Sequence, residues 1–160
     1  MAKNAPLEDA LNQIALLLEE MGIASGLWYQ SLLPILTSLR SGRSPKALSL
    51  EEKLIPSQDY LGALRQILQE FESHLSGIKN TLEKEGALNV REPLELLEKE
   101  RIFFRQFEEV SGALMKKLNL IAREERMSSL GRQPIDEAWG EIERMVNETN
   151  QRDKAESNVD

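Results

Sequence analysis

SQDYLGALRQILQEFESHLSGIKNTLEKE, residues Ser57–Glu85, decides the fold class. Leu61, Leu64, Leu68, Phe71, Leu75, Ile78 and Leu82 recur in alternating steps of three and four, which lays one apolar seam along a helix. Pro56 and Ser57 mark its start, because a serine side chain can accept a hydrogen bond from the free N–H groups of a first turn. Gly86 marks its stop, because glycine adopts the left-handed conformation that closes a helix. At about 1.5 Å per residue the rod is roughly 43 Å long. A seam of that length needs partners, and the remaining segments must supply them.

Upstream, Leu7, Leu11, Ile14, Leu18 and Met21 step by four and three, and the phase continues through Ser25, Trp28, Leu32, Ile35 and Leu39. Gly22, Gly26 and Pro34 interrupt this span. An interior glycine costs a helix about 1 kcal/mol and an interior proline about 3 kcal/mol relative to alanine. The expectation is therefore two nearly collinear helices, residues 6–21 and 24–40, bent at Gly22–Gly26 and kinked near Pro34. Residues 41–56 hold Ser41, Gly42, Ser44, Pro45 and Pro56 and read as a connection. Ser49 and Glu52 have capping-box spacing within it, predicting a short turn of helix at Leu50–Ile55.

Downstream, residues 86–92 are short enough to join antiparallel helices. Pro93 opens a helix expected over 93–129, with Leu94, Leu97, Phe103, Phe107, Val110, Leu114, Leu118 and Ile121 on its apolar face. Glu98-Lys99-Glu100-Arg101 interrupts that face; Arg101 there reads as a polar partner for a glutamate that fixes register. Gly131 and Pro134 introduce a last, shorter helix carrying Ile135, Ala138, Trp139, Ile142, Met145 and Val146. The fold class is all-α: an elongated antiparallel bundle of three long helices, the first kinked, plus a shorter C-terminal helix. Residues 1–149 make one domain, and residues 150–160 read as a disordered tail.

Composition agrees. Apolar residues make up 41% of the 160 but aromatics only 5%, so the core is mostly aliphatic, as suits a helical bundle. No run of Val, Ile and Thr alternates with polar residues between turn signals. Net charge is −7, which disfavours nucleic acid or an anionic membrane surface as the main partner. There is no cysteine, hence no disulfide, thiolate nucleophile or Cys-ligated metal. No apolar run has the length of a membrane span, and no signal-peptide pattern opens the chain, so cytoplasmic is the expected location.

The chemistry-bearing residues are sparse. His74, the only histidine, sits beside the seam with Glu70 four residues before it, and reads as a surface hydrogen-bonding group. Glu92, Glu95 and Glu98 read as solvated partners of a helix start rather than a metal chelate. No glycine-rich phosphate loop follows a strand. Neither cofactor, metal nor catalytic residue is expected, and the chain reads as a non-enzyme.

Arg40, Arg43, Lys46 and Lys53 form the one basic patch, a weak candidate for anion contact. Leu27, Tyr29, Leu33 and Leu36 extend the apolar surface of the first helix beyond its seam. They are candidates for a groove, widened by a Pro34 kink, that receives a partner's helix, with Ile102 and Trp139 as lesser members. The competing reading is a helix buried on two sides. The functional expectation is an acidic helical adaptor or secretion-type chaperone that binds a protein partner. The alternative is a structural subunit of a homo- or hetero-oligomeric assembly; a nucleic-acid regulator is third. No motif assigns the chain to a family.

Overall fold

The computed structural model describes residues 5–85, 91–124 and 129–158. The expected stop at Gly86 and the terminal Val159 lie outside them, as do the side chains of Leu7 and Glu92. Six helices follow in order: α1 (Ala5–Arg40), α2 (Pro45–Leu48), α3 (Leu50–Lys53), α4 (Ile55–Glu85), α5 (Arg91–Glu124) and α6 (Ser129–Asn158). Among the described residues there is no strand. The molecule is an all-α antiparallel helical bundle.

The α4 seam behaves as its spacing requires: all seven residues from Leu61 to Leu82 are buried. Its largest partner surface is α1, which runs back along it after the 41–54 connection. Ser57 does not cap α4. Its side chain is buried, and its hydroxyl shares a 2.7 Å hydrogen bond with that of Ser31 on α1. Helix α4 begins two residues earlier, at Ile55, and takes Pro56 into its first turn, where a missing N–H costs nothing. Cross-links from Arg65 to Glu108, Glu72 to Arg101 and Lys79 to Glu98 show α5 antiparallel to α4. Tyr29 against Trp139 and Arg40 against Asp136 show α6 antiparallel to α1.

Helix α1 corrects the expectation of two segments. It is one helix of 36 residues, continuous through Gly22, Gly26 and Pro34. The local cost of these residues is offset by the face they leave intact: Ile14, Leu17, Met21, Ala24, Trp28, Leu32, Ile35, Leu36 and Leu39 are all buried. Fully burying one large aliphatic side chain contributes about 1.5–3 kcal/mol, so several outweigh the breakers. Gly42, at φ 96°, ends the helix in the left-handed conformation.

Residues 41–54 are more ordered than their composition suggests. Ser44 caps α2 by accepting from the Ala47 N–H at 3.1 Å. Ser49 is left-handed, at φ 52°, and closes α2; its side chain makes no cap hydrogen bond to α3, so the expected capping box does not form. Leu48, Leu50 and Leu54 are buried and plug this end of the bundle. Two further boundaries move. Helix α6 starts before Gly131 and Pro134 and runs as helical backbone to Asn158, past the Asn150 expected to begin a tail; at 30 residues it is as long as α4 is to within a residue.

Trp28 is fully buried where α1, α5 and α6 meet, edge-on to Phe107 at 5.6 Å and tilted against Trp139 at 6.3 Å between ring centroids. Its Nε1 is buried and has no hydrogen-bond partner among the described residues. Trp28→Ala is expected to lower unfolding free energy by about 3–5 kcal/mol in urea titrations. Trp28→Phe is expected to cost markedly less, since it keeps ring packing and removes the unpaired N–H.

Candidate functional site

Helix α1 is unusual in what it lacks. Between Glu20 and Arg40 no residue is charged, in a chain whose charged fraction is 29%. Much of that run faces outward: Ile23, Gly26, Leu27, Gln30, Leu33, Pro34 and Thr37 are exposed. Of the eight large hydrophobics that are exposed among the described residues, Leu16, Ile23, Leu27 and Leu33 lie on α1. The others are scattered on α4 and α5, as single surface hydrophobics ordinarily are. Charge depletion with clustered apolar exposure is the composition of an interface core.

Beside this outer face, toward α6, lies a groove of about 590 Å³ between α1, α5 and α6. Its α1 wall is Ala15, Leu18, Gly22, Ile23 and Gly26; α5 contributes Phe103, Phe104 and Phe107; Val146 and Thr149 of α6 form the far side. Two of these α1 positions, Gly22 and Gly26, carry no side chain. A Cβ added at Gly22 or Gly26 would meet nothing within 4 Å, so packing inside this chain does not demand either glycine. Its hydroxyls are turned inward: Ser25 donates to the Gly22 carbonyl at 3.0 Å and Thr149 to the Met145 carbonyl at 3.1 Å. The charged residues that line it are Glu19 and Glu100. Such a site offers apolar contact and an acidic rim. A shallower depression along α6, beside Gly140 and Arg144, is lined by that helix alone.

The residues singled out from the sequence separate into two sets. Leu27 and Leu33 are exposed on the outer face of α1, and Ile102 is exposed on α5. Leu36 and Trp139 are buried at 2% and 1%, so in this fold they belong to the core and not to a contact surface. Tyr29 is half-buried and stacks on Trp139 at 5.0 Å with the rings 3° from parallel. Burial, with Glu143's negative charge second, pushes the Tyr29 hydroxyl's pKa upward. The groove is flanked by Gly22 and Gly26, not by Pro34.

The basic patch is partly committed. Arg40 reaches Asp136 at 3.1 Å and Glu143 at 3.9 Å, and its carbonyl accepts from Arg132 at 2.8 Å. Its guanidinium ties α1 to α6. Arg43 and Lys46 are exposed. His74 and Glu95 are exposed too, and among the described residues no group of His, Asp or Glu is arranged to hold a metal ion. No described helix is long and apolar enough to cross a membrane.

Arg101 does meet glutamates. Where the α5 seam lacks an apolar residue, Arg101 donates to Glu98 at 2.8 Å and Glu72 at 3.1 Å; Lys79 donates to Glu98 at 2.6 Å and Arg105 to Glu72. The hydrogen bonds from Arg101, then from Lys79, hold the Glu98 carboxyl down at about 2 from its usual 4.5, against the opposing effect of burial. A depressed folded-state pKa contributes stability that is present above pH 4.5 and lost as pH falls toward 2. Glu98→Gln is therefore expected to lower stability by about 1 kcal/mol at neutral pH. Its melting temperature should fall less steeply than that of the unmodified chain across the acid range, as followed by circular dichroism.

The glycines yield a second expectation. Gly22→Ala and Gly26→Ala have open space for the new methyl group. Each should raise stability by about 0.5–1 kcal/mol, a thermal shift of roughly 1–4 °C, in calorimetry. With this geometry in hand, comparison with known proteins adds no relative: no protein-family model, no curated protein and no solved structure matches the chain.

Proposed function

We propose that this chain is a non-enzymatic recognition protein that holds an amphipathic helix of a protein partner in the α1–α5–α6 groove, in the manner of an adaptor or secretion-type chaperone. The observation that carries this reading is the uncovered glycine wall of α1 facing phenylalanines 103, 104 and 107. Two glycines in mid-helix cost about 2 kcal/mol against alanine, with no return from packing within the chain. Their absent side chains allow a partner backbone to approach closely. A helix whose apolar stripe meets this floor, with lysine or arginine on its flank to meet Glu19, has the matching chemistry.

Gly22→Gln fills the groove from a position with open space, and should leave circular dichroism unchanged. With the full chain as bait, the partner retained by the unmodified protein should fall at least about tenfold on Gly22→Gln. The isolated partner helix should shift the amide resonances of Gly22, Gly26 and Phe103. Equal retention by both baits, or resonance shifts confined to other residues, would exclude the groove as the binding site.

A further inference from the structure

The outer face of α1 adjoins the groove and shares Ile23 and Gly26 with it, and its pattern specifies an occupant. Leu16, Ile23, Gln30 and Thr37 recur at seven-residue intervals, and so do Glu20, Leu27 and Pro34. All seven are exposed. Together they form the two edges of a seam that two helices share when they pack side by side. The charges mark only its ends: Glu19 and Glu20 at one, Arg40 and then Arg43 at the other.

We propose that a second copy of this chain covers this face, with the two α1 helices antiparallel about a twofold axis at Gln30. The pairing is isologous, so every contact occurs twice. It sets Ile23 opposite Thr37 and Leu27 opposite Leu33, and brings Glu20 level with Arg40, whose guanidinium also holds Asp136 and Glu143 of its own chain. Gly26 then faces Pro34, whose ring stands on the exposed side of the helix; among the described residues no atom lies within 4 Å of the place of a Gly26 Cβ, which leaves room for that ring. A parallel pairing would instead set the glutamates of the 19–20 end against their own copies, which is repulsive. The axis position also has a polar requirement that this pairing meets. Proline at 34 has no N–H, so the carbonyl of Gln30 lacks its usual donor four residues on. The carboxamide of the second copy's Gln30 is the donor the axis brings there.

The chain contains no cysteine, so single introduced cysteines report the register without background. Light scattering on the full chain should give twice the 18.2 kDa monomer mass. Leu27→Glu with Leu33→Glu, both at exposed sites, should keep the helical spectrum while weakening self-association by roughly a hundredfold. Gln30→Cys should form an interchain disulfide with itself. Ile23→Cys should not, but should cross-link to Thr37→Cys when the two variants are mixed. A monomeric mass at the highest soluble concentration overturns the proposal. So does a dimer indifferent to the glutamate pair, or one in which Ile23→Cys cross-links to itself. Gly26 and Ile23 belong to both contacts, but Leu27 and Leu33 lie outside the groove and Gly22 lies outside the dimer seam, so the paired glutamates should break the dimer alone and Gly22→Gln the groove alone.

Discussion

The packing of α1 against α5 and α6 centres on the indole of Trp28. Helices α1 and α4 share a long continuous contact and would stay paired without it. The same is not true of α1 with the other two helices. There the contact is made by rings: Phe107 from α5 meets the indole edge-on, Trp139 from α6 leans against it, and Tyr29 stacks on the back of Trp139. Aromatic pairs of this geometry add about 0.5–1.5 kcal/mol each beyond the area they bury. Arg40, bridging to Asp136 and Glu143, fastens the same two helices one end further on. Toward the other end Gly22 and Gly26 interrupt the α1 wall, and the groove begins.

The sequence made the helical class readable because apolar spacing survives any change of neighbour. The α4 seam carries it without a slip, and the apolar faces of α5 and α6 repeat it closely enough to identify their inner sides. Boundaries and breaks were less readable. Gly22, Gly26 and Pro34 carry a known local cost, but whether a helix survives that cost is decided by the leucines buried around it, which depend on partners distant in sequence. Ser57 shows the same limit. Its position fits a cap, yet Ser31, on another helix, claims its hydroxyl.

The candidate surface was half legible for a related reason. Helix α1 is apolar on most sides, so periodicity alone could not say that Leu36 goes inward while Leu33, three residues away, stays out. Trp139 was assigned to the surface because its core partners, Trp28 and Tyr29, come from the opposite end of the chain. A different signal was available throughout: the uncharged run between Glu20 and Arg40. A surface segment without charge is uncommon, whereas an apolar helix with one inner face is not. Glycines of the groove wall were visible only as helix breakers, since an unfilled space on a wall has no sequence signature.

The plug of Leu48, Leu50 and Leu54 has one more consequence, for motion. It sits at the end where α1 finishes and α4 starts, and it seals that end with buried aliphatic carbon. The opposite half has the glycine wall instead. Opening free energies in a protein follow local apolar density, and fraying proceeds from the poorly packed side. Amide protons beside the leucine-filled end are therefore expected to exchange with solvent later than those along the glycine wall.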